Sequence, residues 1–169
     1  VFLDDQAALV GAWRGYLEAR LQRPVVFVRR ATYREIVDLL RQQKLEFAWL
    51  CGYPYVDNRE VLKLVAVPVY RGKPLYQSYL IVPAGDRSTR SLTDLKSRVF
   101  AYSDPGSNSG FLVVQDALRA LGESPGFFFR KTFFTHAHRK VIEAVGVGLA
   151  EGGSVDGYVY DTLKQIKPE

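Results

Sequence analysis

The 169-residue chain is 47% hydrophobic and 13% aromatic, enough apolar side chain to bury a core in one or two small domains and too much for a disordered segment. Its formal net charge is +5. The basic residues are scattered, without a block of five and without interleaved aromatics, so the charge argues for small anionic molecules and against nucleic acid. No run of about 18 apolar residues reads as a membrane span, and a single cysteine, Cys51, excludes an internal disulfide and a C-x-x-C zinc site.

The chain opens on Val1 rather than methionine, as an excised or mature piece would. Asp4 and Asp5 then precede a helical pattern with Leu9, Trp13, Tyr16, Leu17 and Leu21 on one face. Pro24 stops that helix, and Val25–Val28 reads as a short buried strand. Thr32 and Glu35 form a capping box for a helix through Ile36, Val37, Leu39 and Leu40. Phe47–Leu50 reads as a second buried strand, with Cys51 expected to be a buried structural thiol. This alternation of helix and strand is the α/β signature. Ligands in open α/β sheets bind just past the carboxyl ends of strands, so Tyr53 and Tyr55, in Gly52-Tyr53-Pro54-Tyr55, are placed either to line a cleft or to pack on a turn.

Val61–Tyr70 and Leu75–Val82 are two longer extended runs joined by Arg71-Gly72-Lys73-Pro74 and suited to pass between two lobes. Ser91–Leu95 is a short helical turn and Val99–Tyr102 a strand. The stretch Ser103-Asp104-Pro105-Gly106-Ser107-Asn108-Ser109-Gly110 feeds a helix from about Gly110 to Leu121. A further helix carries Val141, Ile142, Val145 and Leu149 and closes at Gly152-Gly153. Val155–Tyr160 reads as a last strand, with Asp161 capping a final short helix.

The first residues of a helix leave N–H groups without intrahelical partners, at its electropositive end. An anionic oxygen there accepts several hydrogen bonds at once. Gly106 and Gly110 let the backbone approach, Ser107 and Ser109 add hydroxyls and Asn108 an amide. The alternatives fit less well. A Walker A loop needs a lysine that is absent. A nucleophile elbow needs serine at the centre of G-x-S-x-G, where Asn108 stands. A plain helix cap stays open. His136 and His138 would point about 200° apart at a helix start, which suits a hydrogen bond to the cleft better than a metal. Asp156 either receives a ligand amine or braces the loop.

Phe47–Val56, Tyr79–Val82, the Ser-Leu-Thr-Asp-Leu-Lys segment, Asp104–Gly110 and Gly153–Gly157 together resemble, in the right order over nearly the whole chain, the phosphate- and phosphonate-binding proteins of ABC transporters. The resemblance implies an α/β fold of the type II periplasmic-binding-protein class, a Venus flytrap of two lobes joined by crossing strands. Residues 1–69 would be a first lobe, incomplete at both chain ends. Residues 70–164 would be a second lobe carrying the anion loop, and 165–169 the start of a return. It further implies a periplasmic or extracytoplasmic receptor that hands its oxyanion to an ABC permease, with no cofactor, no metal and no catalysis. An extracytoplasmic sensor domain using the same clamshell is the alternative. An enzyme on this fold would need an activated nucleophile, and Cys51 has no evident base. By the same resemblance the ligand residues are Ser107, Asn108, Ser109 and Gly110, an aromatic at Tyr53 or Tyr55, another at Tyr76 or Tyr79, and His136 or His138, of which His136 is carried into the expected site together with Asp156. Asn108 departs from the commoner serine-threonine-serine pattern of the loop.

Overall fold

The computed structural model describes residues 7–70 and 72–166; the capping role expected of Asp4 and Asp5, and Arg71 of the expected joint, lie outside them. The chain forms two compact units, Val1–Ala31 and Thr32–Glu169.

In the first unit, helix α1 (Ala7–Leu21) ends where Gln22 turns left-handed (φ 52°), just ahead of Pro24. The Glu18 carboxylate accepts from the Val25 N–H at 3.0 Å, and Trp13 packs on Phe27 with ring centroids 5.3 Å apart. Val25–Val28 is extended but, contrary to the sequence expectation, is not a buried strand. It has no ladder partner among the described residues, and Val26 is exposed.

The second unit begins with α2 (Tyr33–Arg41), opened by the expected capping box: the Thr32 hydroxyl accepts from Glu35 N–H and the Glu35 carboxylate returns to Thr32 N–H. A short helix α3 (Gly52–Asp57) follows. Asn58 ties the two together, accepting from Arg41 Nε at 2.9 Å and donating to the Pro54 carbonyl at 2.8 Å. Phe47–Leu50 is a second correction, since it too is extended without a ladder, with Phe47 and Trp49 exposed. Apolar, β-prone sequence makes a strand only where a neighbouring backbone completes its hydrogen bonds.

A four-stranded sheet organises the rest, in the order β1 (Ser78–Ile81), β4 (Gly152–Asp156), β2 (Val99–Tyr102), β3 (Lys131–Phe134). Strand β1 runs antiparallel to β4, and β4, β2 and β3 are mutually parallel. Between β2 and β3 come a π-helical turn at Asn108–Leu112, α4 (Val113–Ala120) and α5 (Pro125–Phe128); α6 (His138–Gly146) links β3 to β4. Of the long run Leu75–Val82 only Ser78–Ile81 is laddered, and Tyr70 and Lys73 close the expected joint through paired backbone hydrogen bonds.

Strand alternation divides the core. Phe100 and Tyr102 face Leu95, Val114, Leu118, Phe128 and Phe129, whereas Ala101 and Val155 face Val141, Val145 and Ala150. Gly152 and Gly153 are not a helix stop but β4 residues at the tightest points of these layers. A Cβ on Gly152 would lie 2.8 Å from Leu95 Cδ1, and one on Gly153 would press on Val141 and Val145. The turn after α6 is made by Gly148 instead, at φ 78°.

The last expected strand also ends early. β4 stops at Asp156, and α7 (Gly157–Ile166) takes Tyr158–Tyr160 and encloses Asp161, the expected cap. The cause is the Asp156 carboxylate, whose Oδ1 accepts from Tyr158 N–H at 2.8 Å and Val159 N–H at 3.4 Å. Those bonds satisfy the first orphan donors of a helix.

Candidate functional site

The carboxyl ends of β2, β3 and β4 lie together, so the connections 103–107, 135–137 and 156–157 emerge at one end of the sheet, where α/β proteins place ligands. The 103–110 loop is held there by its own side chains. Asp104 Oδ1 accepts from Gly106 N–H at 2.7 Å, and its Oδ2 lies 3.3 Å from His136 Nδ1. Ser107, fully buried, accepts from Gly110 N–H at 2.9 Å, and Ser103 N–H reaches the Gly110 carbonyl at 3.2 Å. Ser107 is therefore the helix cap. The π-turn that follows takes i+5 hydrogen bonds, Leu112 N–H to the Ser107 carbonyl and Val113 N–H to that of Asn108. This widened first turn is common at functional sites.

Three hydroxyls beside this turn are buried and take no hydrogen bond within the described residues: those of Ser103, Ser109 and Ser154, residues 2%, 1% and 0% exposed. Ser109 lies in the turn and is pinned through its carbonyl, which accepts from Ser78 Oγ at 2.6 Å. Ser154 sits on β4, which packs under the turn. Ser103 and His138 meet at Gly110, where a methyl group would come 2.7 Å from Ser103 Cβ and 3.0 Å from His138 Cε1. Buried polar groups are nearly always partnered, so a set of three at one helix start is a feature with a purpose.

His138, the buried first residue of α6, accepts from Asp156 N–H through Nδ1 at 3.1 Å. Its ring is neutral with the proton on Nε2, and burial pushes its pKa down to about 4. Burial raises the pKa of Asp156, against the lowering effect of its two backbone hydrogen bonds.

The second unit also supplies a wall of weak acids. Cys51 is not a core thiol: it is half-exposed, and its Sγ accepts from Asn108 N–H at 3.3 Å and lies 3.4 Å from the Tyr76 hydroxyl. Tyr33 Cβ and Pro54 Cγ close on Gly106, within 3.2 and 3.5 Å of where its Cβ would stand. Burial holds the phenols of Tyr33 and Tyr76 protonated, and the nearby Asp156 carboxylate acts on both in the same sense.

Of the residues named from sequence, Ser107, Asn108, Ser109, Gly110, Tyr76 and Asp156 come together here. His136 touches Asp104 from the exposed rim, with a left-handed backbone (φ 59°). Tyr79 points elsewhere, with its hydroxyl 3.4 Å from Asp161 and its ring against Tyr160. Tyr53 and Tyr55 are half-buried on α3, whose Pro54 makes the contact to the loop. Tyr33, Ser103 and Ser154 were not singled out, and of the two histidines offered the inward-facing one is His138 rather than His136. The signal for His138 was the apolar spacing to Val141 and Val145, which puts it on the buried face of α6. Nothing local marks Tyr33, which arrives from a distant element.

Residues 4–169 match the family described as ABC transporter, phosphonate, periplasmic substrate-binding protein. The chain belongs to this family. Among curated relatives it is 24% identical over 158 residues to the phosphate-import protein PhnD of Mycolicibacterium smegmatis, covering 87% of this chain and 48% of that protein. Among solved structures it resembles PhnD1 of Prochlorococcus marinus in complex with methylphosphonate (TM-score 0.82, 21% identity, 98% of this chain and 64% of that one). It also resembles the binding component of a Pseudomonas aeruginosa ABC phosphonate transporter (TM-score 0.88, 19% identity, 99% of this chain and 58% of that one). The chain thus spans about half the length of the curated relative and under two thirds of both structures. These likenesses bear out the α/β, type II periplasmic-binding-protein class read from the sequence. Among the described residues no helix is long and apolar enough to cross a membrane, and no group of three or more His, Cys, Asp or Glu side chains is placed to hold a metal ion.

Proposed function

We propose that this chain is the oxyanion-binding part of an extracytoplasmic solute receptor that captures a phosphate-, phosphite- or phosphonate-like anion for uptake by an ABC permease, without chemical conversion of the ligand. The reading rests on one observation: the hydroxyls of Ser103, Ser109 and Ser154 are buried without partners beside the helix start that follows β2. Uncharged hydrogens in a site removed from water hold an anion without placing a rival cation beside it. In the Prochlorococcus relative the bound ligand is methylphosphonate. Tyr76 and Tyr33 supply further hydroxyls, and the Nε2–H of His138 a ring donor. The lobe boundary near residue 70 belongs to this reading, since closure of two lobes over the ligand is what would signal occupancy to the permease.

Calorimetric titration of the complete receptor with phosphate, phosphite, methylphosphonate and 2-aminoethylphosphonate tests the reading. At least one is expected to bind, and absence of heat from all four would overturn it. Replacing Ser109 by alanine is expected to weaken that ligand by about 10- to 100-fold, the size of one charge-assisted hydrogen bond of about 1.5–3 kcal/mol. Unchanged affinity would remove Ser109 from the site.

A further inference from the structure

The inventory of charge around the loop restricts the ionic form of the ligand, given the oxyanion reading above. Among the described residues no lysine or arginine hydrogen-bonds to the 103–110 loop, to Cys51, Tyr33 or Tyr76, or to His138 or Asp156. Two carboxylates do stand there. Asp104 is engaged through both oxygens, one on Gly106 N–H and the other beside His136. Asp156 is not: Oδ1 caps α7, and Oδ2 takes no hydrogen bond within the described residues.

Asp156 is fixed at the site from several sides. Its N–H is on His138 Nδ1, and the His138 ring abuts Gly110. Its register partner on β1 is Ser78, which holds the Ser109 carbonyl. Its charge acts on the Tyr33 and Tyr76 phenols. A fully deprotonated phosphonate or phosphate would bring two negative charges against this carboxylate, with no lysine or arginine among the described residues hydrogen-bonded there to offset them. A ligand that keeps one hydrogen meets an acceptor there instead.

We propose that the site is specific for the singly charged, still-protonated form of its oxyanion, which shares that proton with Asp156 Oδ2. Whether the hydrogen is drawn on the ligand oxygen or on the carboxylate, the complex contains one proton that the dianion and an ionised Asp156 together lack. The groups facing Asp156 do not supply this proton. His138 is already neutral with Nδ1 occupied, and the two phenols are held protonated by burial. Cys51 Sγ accepts from Asn108. Asp104 stands across the loop with His136 beside it, and His136 is the group the experiment controls.

The experiment is calorimetric titration of the complete receptor with methylphosphonate from pH 5.5 to 9, in two buffers of different ionisation enthalpy. Affinity is expected to be level below the ligand's second ionisation and to fall about tenfold per pH unit above it, with one proton taken up per complex. Asp156→Asn keeps an oxygen to cap α7 but cannot share the proton. It is expected to lose most of the slope and to bind more tightly than the wild type at pH 9, whereas His136→Gln should keep the wild-type slope. Affinity level or rising through the second ionisation, or an unchanged slope in Asp156→Asn, would overturn the proposal while leaving the oxyanion site intact. No binding of methylphosphonate, phosphate or phosphite at any pH would overturn both. The proton count in the wild-type protein decides the matter even where the variant folds poorly.

Discussion

Gly110→Ala is expected to lower stability by about 1–3 kcal/mol, the usual cost of overpacking, and to weaken oxyanion binding by more than about 100-fold. Space, not backbone conformation, makes this glycine irreplaceable. A methyl group would overlap the Ser103 side chain and press on His138 Cε1. Neither neighbour can retreat easily, because Ser103 is tied to the Gly110 carbonyl and His138 to Asp156 N–H. The loop would have to lift, carrying Ser109 away from Ser103 and His138. Urea unfolding and ligand calorimetry measure the two effects. Adding Ser103→Gly removes the main obstacle and should restore most of the stability but not the affinity. Gly85→Ala, where nothing lies within 4 Å, is the contrast and should change either quantity very little. A Gly110→Ala chain with wild-type stability and affinity would refute the packing described.

Acidification is expected to weaken the fold through His138. Its folded-state pKa is about 4 because burial disfavours the charged ring, and the unfolded value is about 6.5. The folded value is the lower one. Its contribution is therefore fully present above about pH 6.5 and is lost as pH falls toward 4, amounting to about 3 kcal/mol over the whole window. Asp156 works in the opposite sense, since its raised pKa adds stability at low pH that is lost as pH rises through the folded value. It offsets part of the His138 effect at the acid end. Urea unfolding at pH 7, 6, 5 and 4.5 should show the decline, and His138→Gln, less stable at neutral pH, should show a flatter profile. A wild-type profile without decline between pH 6.5 and 4.5 would mean that the imidazole is not buried in its neutral form.

Local chemistry was readable wherever the hydrogen bonds are local. The Thr32–Glu35 capping box, the Ser91–Leu95 turn, β2 and the polar loop before a helix all stand as read, and the structure adds a Ser91–Asp94 box to the turn. The same logic named Asp156 for the site but ran the strand past it to Tyr160, missing its role as the cap of α7, because its residue type fits a strand end and a helix cap equally. It favoured His136 over His138 because exposure is not written in the spacing of two histidines alone.

By itself the sequence determined the family, the α/β class and the small, uncharged loop of serines and glycines, since each depends on residues close together in the chain. Only the tertiary structure decided which groups share the site. Ser107 became the cap and Ser109 an unpartnered hydroxyl; Cys51 left the core for Asn108; Tyr76 rather than Tyr79 turned to the loop; Tyr33 and Ser154 arrived from distant elements. The physical reason is that burial and partnership are properties of the space between elements. The register of β1 on β4 and the packing of α6 against the sheet set that space, and no short stretch of sequence carries it.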